Sequence, residues 1–302
     1  MKLLIFCLVG LLLVCGAAYW LGWGQRTSWE ESTGWSRLSD VELELPVESA
    51  RVFEAIGSAP RLSWWGHATV RIDWMGLRVL VDPVASSRIK VAPRRFAQPQ
   101  LNVDTVCDVI LITHAHMDHL DVATLEKLAP ARLLLPAGSE RFLSDAVLSR
   151  HVVQPVALGE VIQVGGLEII PVSARHGGWR YPWQQGLFAC GYIFRAKGEV
   201  LYVAGDSAMG PHFKEIGQRY APRTVFLPIG GYAPQWFLQS RHLNPEEALD
   251  VAADLGAEFV IPYHFGTYRL SLEAIDEPLL RFASAALAHH QKWFLPVSKV
   301  LE

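Results

Sequence analysis

The first 25 residues are apolar almost without interruption, and residues 3–25 carry no charge. That run is close to the ~20 residues a helix needs to cross the hydrocarbon core of a bilayer. Two readings fit it. Tyr19, Trp20 and Trp23 suit the interfacial belt of a retained N-terminal anchor helix. Lys2 and the small residues Gly16-Ala17-Ala18 suit a cleaved signal segment instead. Lys2 on one side, with Arg26, Glu30 and Glu31 on the other, favours a cytoplasmic N-terminus and an exported body, membrane-bound in the first reading and secreted in the second. Residues 26–60 show no clear period and read as a linker with edge structure.

From residue 61 to 302 the pattern is short β-type runs alternating with amphipathic stretches. Strands are expected at 62–65, 68–74, 78–81, 108–112, 132–135, 167–172, 188–194, 200–203, 224–227 and 258–261, with a hairpin turn at Met75-Gly76. Helices are expected at 138–148, 212–219, 245–255 and 278–290. The third of these is signed most clearly: Asn244 as N-cap, Pro245 at the first helical position, and Glu246 and Glu247 beside the positive helix end. No repeat or linker divides this stretch, so it reads as one α/β domain.

Composition supports a globular body: hydrophobic residues make up 51% and charged residues 19%. Lys plus Arg (27) against Asp plus Glu (30) leaves a net charge of −3, which offers no general attraction to nucleic acid. The cysteines Cys7, Cys15, Cys107 and Cys190 form no C-x-x-C pair, so neither a disulfide framework nor a thiolate zinc site is indicated. Cys107 and Cys190 fall in strand runs and read as core residues. Arg88, Lys90, Arg94 and Arg95 form a local basic patch suited to a phosphate head group, or simply a solvated loop.

Candidate chemistry is concentrated in Thr113-His114-Ala115-His116-Met117-Asp118-His119. A buried strand runs into four metal-capable side chains within six residues. His114 and His116 share a face if the strand continues, and Asp118 and His119 on the next turn can address the same point. Imidazole and carboxylate ligands suit Zn²⁺. His151, His212, His289 and His290 have no such context and are expected at the surface. Trp179, Trp183, Trp236 and Phe237 are expected in loops beside the candidates, where they line an acyl channel, meet a membrane interface or pack in the core.

The His-x-His-x-Asp-His run resembles the metallo-β-lactamase fold superfamily, and this resemblance implies a four-layer αββα sandwich. Ser63-Trp64-Trp65-Gly66-His67-Ala68-Thr69, Asp82-Pro83-Val84, Gly205-Asp206, Leu227-Pro228-Ile229-Gly230-Gly231-Tyr232, Asn244-Pro245-Glu246-Glu247-Ala248 and His264-Phe265-Gly266-Thr267 tighten it. Together they resemble the N-acyl-phosphatidylethanolamine-hydrolysing phospholipase D family. The resemblance implies two zinc ions, one held by His114, His116 and His176 and the other by Asp118, His119 and His264, with Asp206 between them. Asp118 and Asp206 are thus also the catalytic carboxylates, and His67, Asp82 and His242 are candidates for supporting or substrate-binding roles. Met117 and Arg241 depart from the Tyr and Gln usual in the family's animal enzymes, which bears on the substrate pocket.

The implied activity is a membrane-associated dizinc phosphodiesterase that releases N-acylethanolamine and phosphatidate. A dizinc hydrolase acting on another phosphodiester, a sugar phosphate or a lactone is the alternative. A metal-stabilised binding protein without catalysis is a third reading, disfavoured because it has no need of an open dinuclear site.

Overall fold

The computed structural model describes residues 60–95, 105–181 and 183–295. The apolar segment 1–25 and nearly all of the 26–60 stretch therefore lie outside the described residues. Among the described residues no helix is long and apolar enough to cross a membrane.

In chain order the strands are β1 (Arg61–Trp64), β2 (Val70–Trp74), β3 (Leu77–Val81), β4 (Arg88–Ile89), β5 (Ala92–Pro93), β6 (Val109–Leu111), β7 (Arg132–Pro136), β8 (Val152–Val156), β9 (Ile162–Val164), β10 (Leu167–Gly177), β11 (Phe188–Ala196), β12 (Glu199–Val203), β13 (Thr224–Pro228), β14 (Phe259–Tyr263) and β15 (Lys292–Trp293). The helices are α1 (Val122–Leu125), α2 (Asp145–Arg150), α3 (His212–Tyr220), α4 (Gln235–Leu238), α5 (Pro245–Leu255) and α6 (Glu277–Ala288). One sheet has the order β1-β2-β3-β6-β7-β8 and the other β15-β14-β13-β12-β11-β10-β9. Each is antiparallel at its hairpin end and parallel beyond it.

The sequence explains this mixture. β6, β13 and β14 are buried at every position, as parallel strands covered on both faces must be. β2 alternates and turns into β3 through Met75 and Gly76, both at positive φ (55° and 76°), the geometry of a tight hairpin. The sheets meet where the Tyr192 hydroxyl donates to the Ile112 carbonyl (2.8 Å) and Cys190 N–H to the Thr113 carbonyl (3.0 Å). Outside one sheet, Leu120, Leu125, Leu128, Leu143 and Val147 cover Ile110, Ile112, Leu133 and Leu135. Outside the other, α5 packs on β13 with α3 and α6 beside it. The order helix, sheet, sheet, helix is the expected sandwich. Asn244 caps α5 through a reciprocal box with Glu247.

Several expectations need correction. The helix expected at 138–148 is a short 3-10 turn, Ser139–Phe142, followed by α2, because extended Ser144 (ψ 160°) restarts the helix as an N-cap. The strand expected from residue 68 begins at Val70, since Gly66 and His67 take positive φ (91° and 50°). β8, β9 and β15 were not anticipated; β8 is an edge strand carrying Pro155, and its pattern is weak. His151 and His212 are buried rather than at the surface. His151 bridges the Leu125 carbonyl (2.9 Å) and Ala131 N–H (3.3 Å), and His212 lies 3.0 Å from the Ser207 hydroxyl. A polar ring is tolerated in a core when its nitrogens find partners. Arg94 leaves the basic patch: its guanidinium donates to the Trp65 and Val84 carbonyls and to Tyr268 Oη. Cys107 and Cys190 are buried free thiols, as expected.

Candidate metal centre

The loop after β6 brings His114, His116, Asp118 and His119 to the edge between the two sheets. Three other segments converge on it. His176 lies near the end of β10 rather than beyond it, Asp206 follows β12, and His264 follows β14. The ligand-capable atoms fall into overlapping groups, each with its atoms within 4.8 Å of one another. One is His114, His116 and His176; another is His67, Asp118, His119 and His264. Asp206 joins them, grouped with His114 and His119 on one side and with His176 and His242 on the other. All seven residues expected as ligands are thus brought together, and His67, Asp82 and His242 with them.

Hydrogen bonds at the back of the imidazoles fix their direction. His119 Nδ1 lies 2.7 Å from Asp82 Oδ2, so it donates there and turns Nε2 toward the centre. His176 Nδ1 donates to the Arg241 carbonyl at 2.8 Å, an acceptor without alternatives, so its Nε2 faces the centre too. His67 Nε2 pairs with Asp118 Oδ2 at 2.9 Å. Thr113 holds Asp82 through both its N–H (2.8 Å) and its hydroxyl (2.6 Å).

These directions test whether a metal fits. His119 Nε2 stands 3.2 Å from Asp206 Oδ2 and 3.6 Å from Asp118 Oδ2. Two carboxylates facing one imidazole nitrogen call for positive charge between them, which a proton on Nε2 or a metal ion in its place supplies. His176 Nε2 and His116 Nδ1 approach to 3.1 Å, and His114 Nε2 and His116 Nδ1 to 2.8 Å. Nitrogens crowd in this way where they serve a common positive charge.

Protonation agrees. Burial, then the charge of His264, lowers His67 to about 4. Burial, then His176, lowers His116 to about 4. Burial lowers His242 to about 3 against the pull of Asp206. His114 is also pushed well down, by burial and then by its neighbouring imidazoles. Burial works against ionisation of Asp206, yet the His264 and His119 charges hold it well below the usual carboxylate range. Burial likewise opposes a proton on His119, but Asp206, Asp82 and Asp118 together raise it well above an ordinary imidazole. His67, His114, His116 and His242 are thus poised as neutral imidazole and Asp206 as carboxylate, the forms that bind a divalent cation. His119 marks where the carboxylates demand positive charge.

The two family departures face elsewhere. Met117 packs beside Val84, Ile89, Ala92 and Tyr268. The Arg241 guanidinium lies over the Phe237 ring at 4.9 Å, and it is the Arg241 backbone that serves the site. Trp179 stands edge-on to His116 at 4.8 Å. Trp183, Trp236 and Phe237 are exposed, the last two on α4.

Sequence reading missed Thr113, Thr267 and Arg180. Thr267 accepts the His67 N–H at 2.6 Å, and Arg180 holds the ligand loop. For the threonines a signal existed: each stands beside a candidate motif, one preceding His114 and the other closing His264-Phe265-Gly266.

Comparison with known proteins gives the family. The family described as a beta-lactamase superfamily domain matches residues 77–265. An uncharacterized protein of Mycobacterium tuberculosis is 32% identical, covering 84% of this chain and 71% of its own. N-acyl-phosphatidylethanolamine-hydrolyzing phospholipase D 1 of Caenorhabditis elegans is 28% identical over 68% of this chain and 64% of its own. A metal-dependent hydrolase of Methanopyrus kandleri is 30% identical over 69% of this chain and 85% of its own. Among solved structures, the isothiocyanate hydrolase from Delia radicum gut bacteria shares the fold with a TM-score of 0.63 at 19% identity, covering 78% of this chain and 96% of that one. With a family match running from β3 to beyond β14, and relatives of this kind, the chain is a hydrolase of the beta-lactamase superfamily.

Proposed function

We propose that this hydrolase is a dizinc phosphodiesterase of phospholipase D type, acting on N-acyl-phosphatidylethanolamine-like phospholipids. The observation that carries the dinuclear reading is Asp206, a single carboxylate placed between two clusters of metal-capable side chains. The substrate class is supported by the similarity to the Caenorhabditis elegans phospholipase D 1 and by the exposed apolar side chains of Trp236 and Phe237. His114, His116 and His176 would hold one zinc and Asp118, His119 and His264 the other, with Asp206 shared. When bound, such ions supply Lewis acidity to a phosphoryl group and make water a nucleophile at neutral pH.

The chain's own residues do the rest. Asp118 and Asp206 compensate the cationic charge and keep it where the phosphoryl group enters. Asp82 and the Arg241 carbonyl keep His119 and His176 pointed inward. His242 sets Nδ1 3.7 Å from Asp206 Oδ2, a neutral ring beside the carboxylate that the two clusters share. In the reaction water adds to phosphorus, the bond to the alcohol oxygen breaks, and a proton goes to the departing N-acylethanolamine, leaving phosphatidate. Residues 1–25 would keep the exported body at the membrane, or be removed to secrete it.

The test is product analysis on mixed vesicles of N-acyl-phosphatidylethanolamine, phosphatidylethanolamine and phosphatidylcholine with zinc-loaded protein. Release of N-acylethanolamine ahead of ethanolamine and choline supports the reading. Turnover of a lactone, sugar phosphate or small cyclic phosphodiester with no cleavage of any phospholipid at the head-group phosphodiester replaces it with the broader hydrolase.

A further inference from the structure

We infer that Arg180 is a positioning residue that clasps the ligand loop 114–120 and thereby sets how tightly the centre holds its metal pair. The inference rests on the metal-site reading above and not on the substrate.

The loop carries His114, His116, Asp118 and His119, yet the backbone bonds within it are few: His119 N–H and Leu120 N–H both reach the His116 carbonyl, at 3.1 and 2.8 Å. Something outside must hold it. Arg180 Nη1 donates to the Ala115 carbonyl at 3.1 Å and to the Leu120 carbonyl at 3.0 Å. One guanidinium nitrogen thus joins the residue between His114 and His116 to the residue just after His119.

The stretch of chain that carries Arg180, a strap beginning at Gly178, makes a third tie, because the Gly178 carbonyl accepts Ala115 N–H at 3.3 Å. The strap is itself well seated. A Cβ on Gly178 would stand 2.2 Å from the Phe188 carbonyl carbon, so only glycine lets the chain lie this close to β11. Gln184 Oε1 accepts the N–H groups of Arg180 and Tyr181 at 3.1 and 2.9 Å, and the guanidinium lies over the Phe142 ring at 5.9 Å. Since the strap begins two residues after His176, it couples ligands on β10 to those on the loop. Arginine suits this place better than lysine, because its planar fork can lie on the ring while it donates twice in fixed directions.

The test compares Arg180→Met and Arg180→Lys with the parent in the full chain. Zinc affinity is read by competition with a chromophoric chelator, thermal unfolding is followed with and without zinc, and KM and kcat are measured on the best substrate found. Arg180→Met is expected to bind zinc at least about tenfold more weakly, the lower end of the usual cost of losing a supporting contact, while the zinc-free chain melts close to the parent. Arg180→Lys is expected to fall between them. Parental zinc affinity in Arg180→Met overturns the inference, as does an equal loss of stability with and without zinc. Parental affinity with raised KM in Arg180→Lys also overturns it, and makes Arg180 a substrate contact. If Arg180→Met does not fold, the lysine variant decides. A parent that takes up no zinc defeats the metal reading itself, whereas inactivity on phospholipid leaves the titration untouched.

Discussion

His119 Nδ1 and Asp82 Oδ2 lie 2.7 Å apart, both side chains almost wholly out of solvent. This pair decides which nitrogen of His119 faces the centre. Asp82 itself sits at φ 43°, and His67 and His264 at 50° and 60°, left-handed backbone that costs a non-glycine residue about 1–3 kcal/mol. The strain is held by local bonds: the Thr69 hydroxyl donates to the Asp82 carbonyl at 2.9 Å, and His264 N–H to the His67 carbonyl at 2.9 Å.

Asp82→Asn is expected to weaken zinc binding by about 10–100-fold, because an amide cannot accept from both Thr113 and His119 as the carboxylate does. Chelator competition checks it. An unchanged affinity would show that His119 keeps its tautomer without Asp82.

Reconstituted protein is expected to carry about two zinc ions per chain, measured by elemental analysis after removal of excess metal. Because the metal ions bind the folded chain and not the unfolded one, chelation should lower the melting temperature. A stoichiometry of one after full loading would mean that Asp206 does not join two sites.

Replacing both Trp236 and Phe237 by Ala should leave the melting temperature nearly unchanged, since Trp236 is 78% exposed and Phe237 50%. If these rings enter the bilayer, activity on vesicles should fall roughly tenfold or more, given about 1.5–3 kcal/mol for a buried large apolar side chain. Activity on a short-chain soluble phosphodiester should hold. Equal losses on both substrates would place the rings at the reacting group instead.

Burial, then the charge of Arg175, lowers His212 to about 4, while an unfolded chain has its imidazole near 6.5. Below pH 6.5 the unfolded state therefore binds the proton first, and stability falls with pH until about 4, where the folded state takes it up too. The melting temperature of the parent minus that of His212→Asn should thus decline between pH 6.5 and 4. Taking the difference removes the common contribution of the metal-centre histidines. A flat difference would mean that His212 does not titrate as a buried neutral ring.

The local features were legible in the sequence. His114-Ala115-His116 and Asp118-His119 announce a metal loop because the residues are adjacent and the strand before them is apolar, and Asn244-Pro245-Glu246-Glu247 announces its helix because capping is settled within one turn. The candidates His176, Asp206 and His264 were legible only through the family resemblance. The tertiary structure alone decided what holds these residues in place. Asp82 reaches His119 across 37 residues and the Arg241 carbonyl reaches His176 across 65. A carbonyl is the same in every residue, so no side-chain identity announces the second contact. The burial of His151 and His212, the inward turn of Arg94 and the clasp of Arg180 share that cause: a polar side chain is tolerated inside a fold only by partners that folding brings to it.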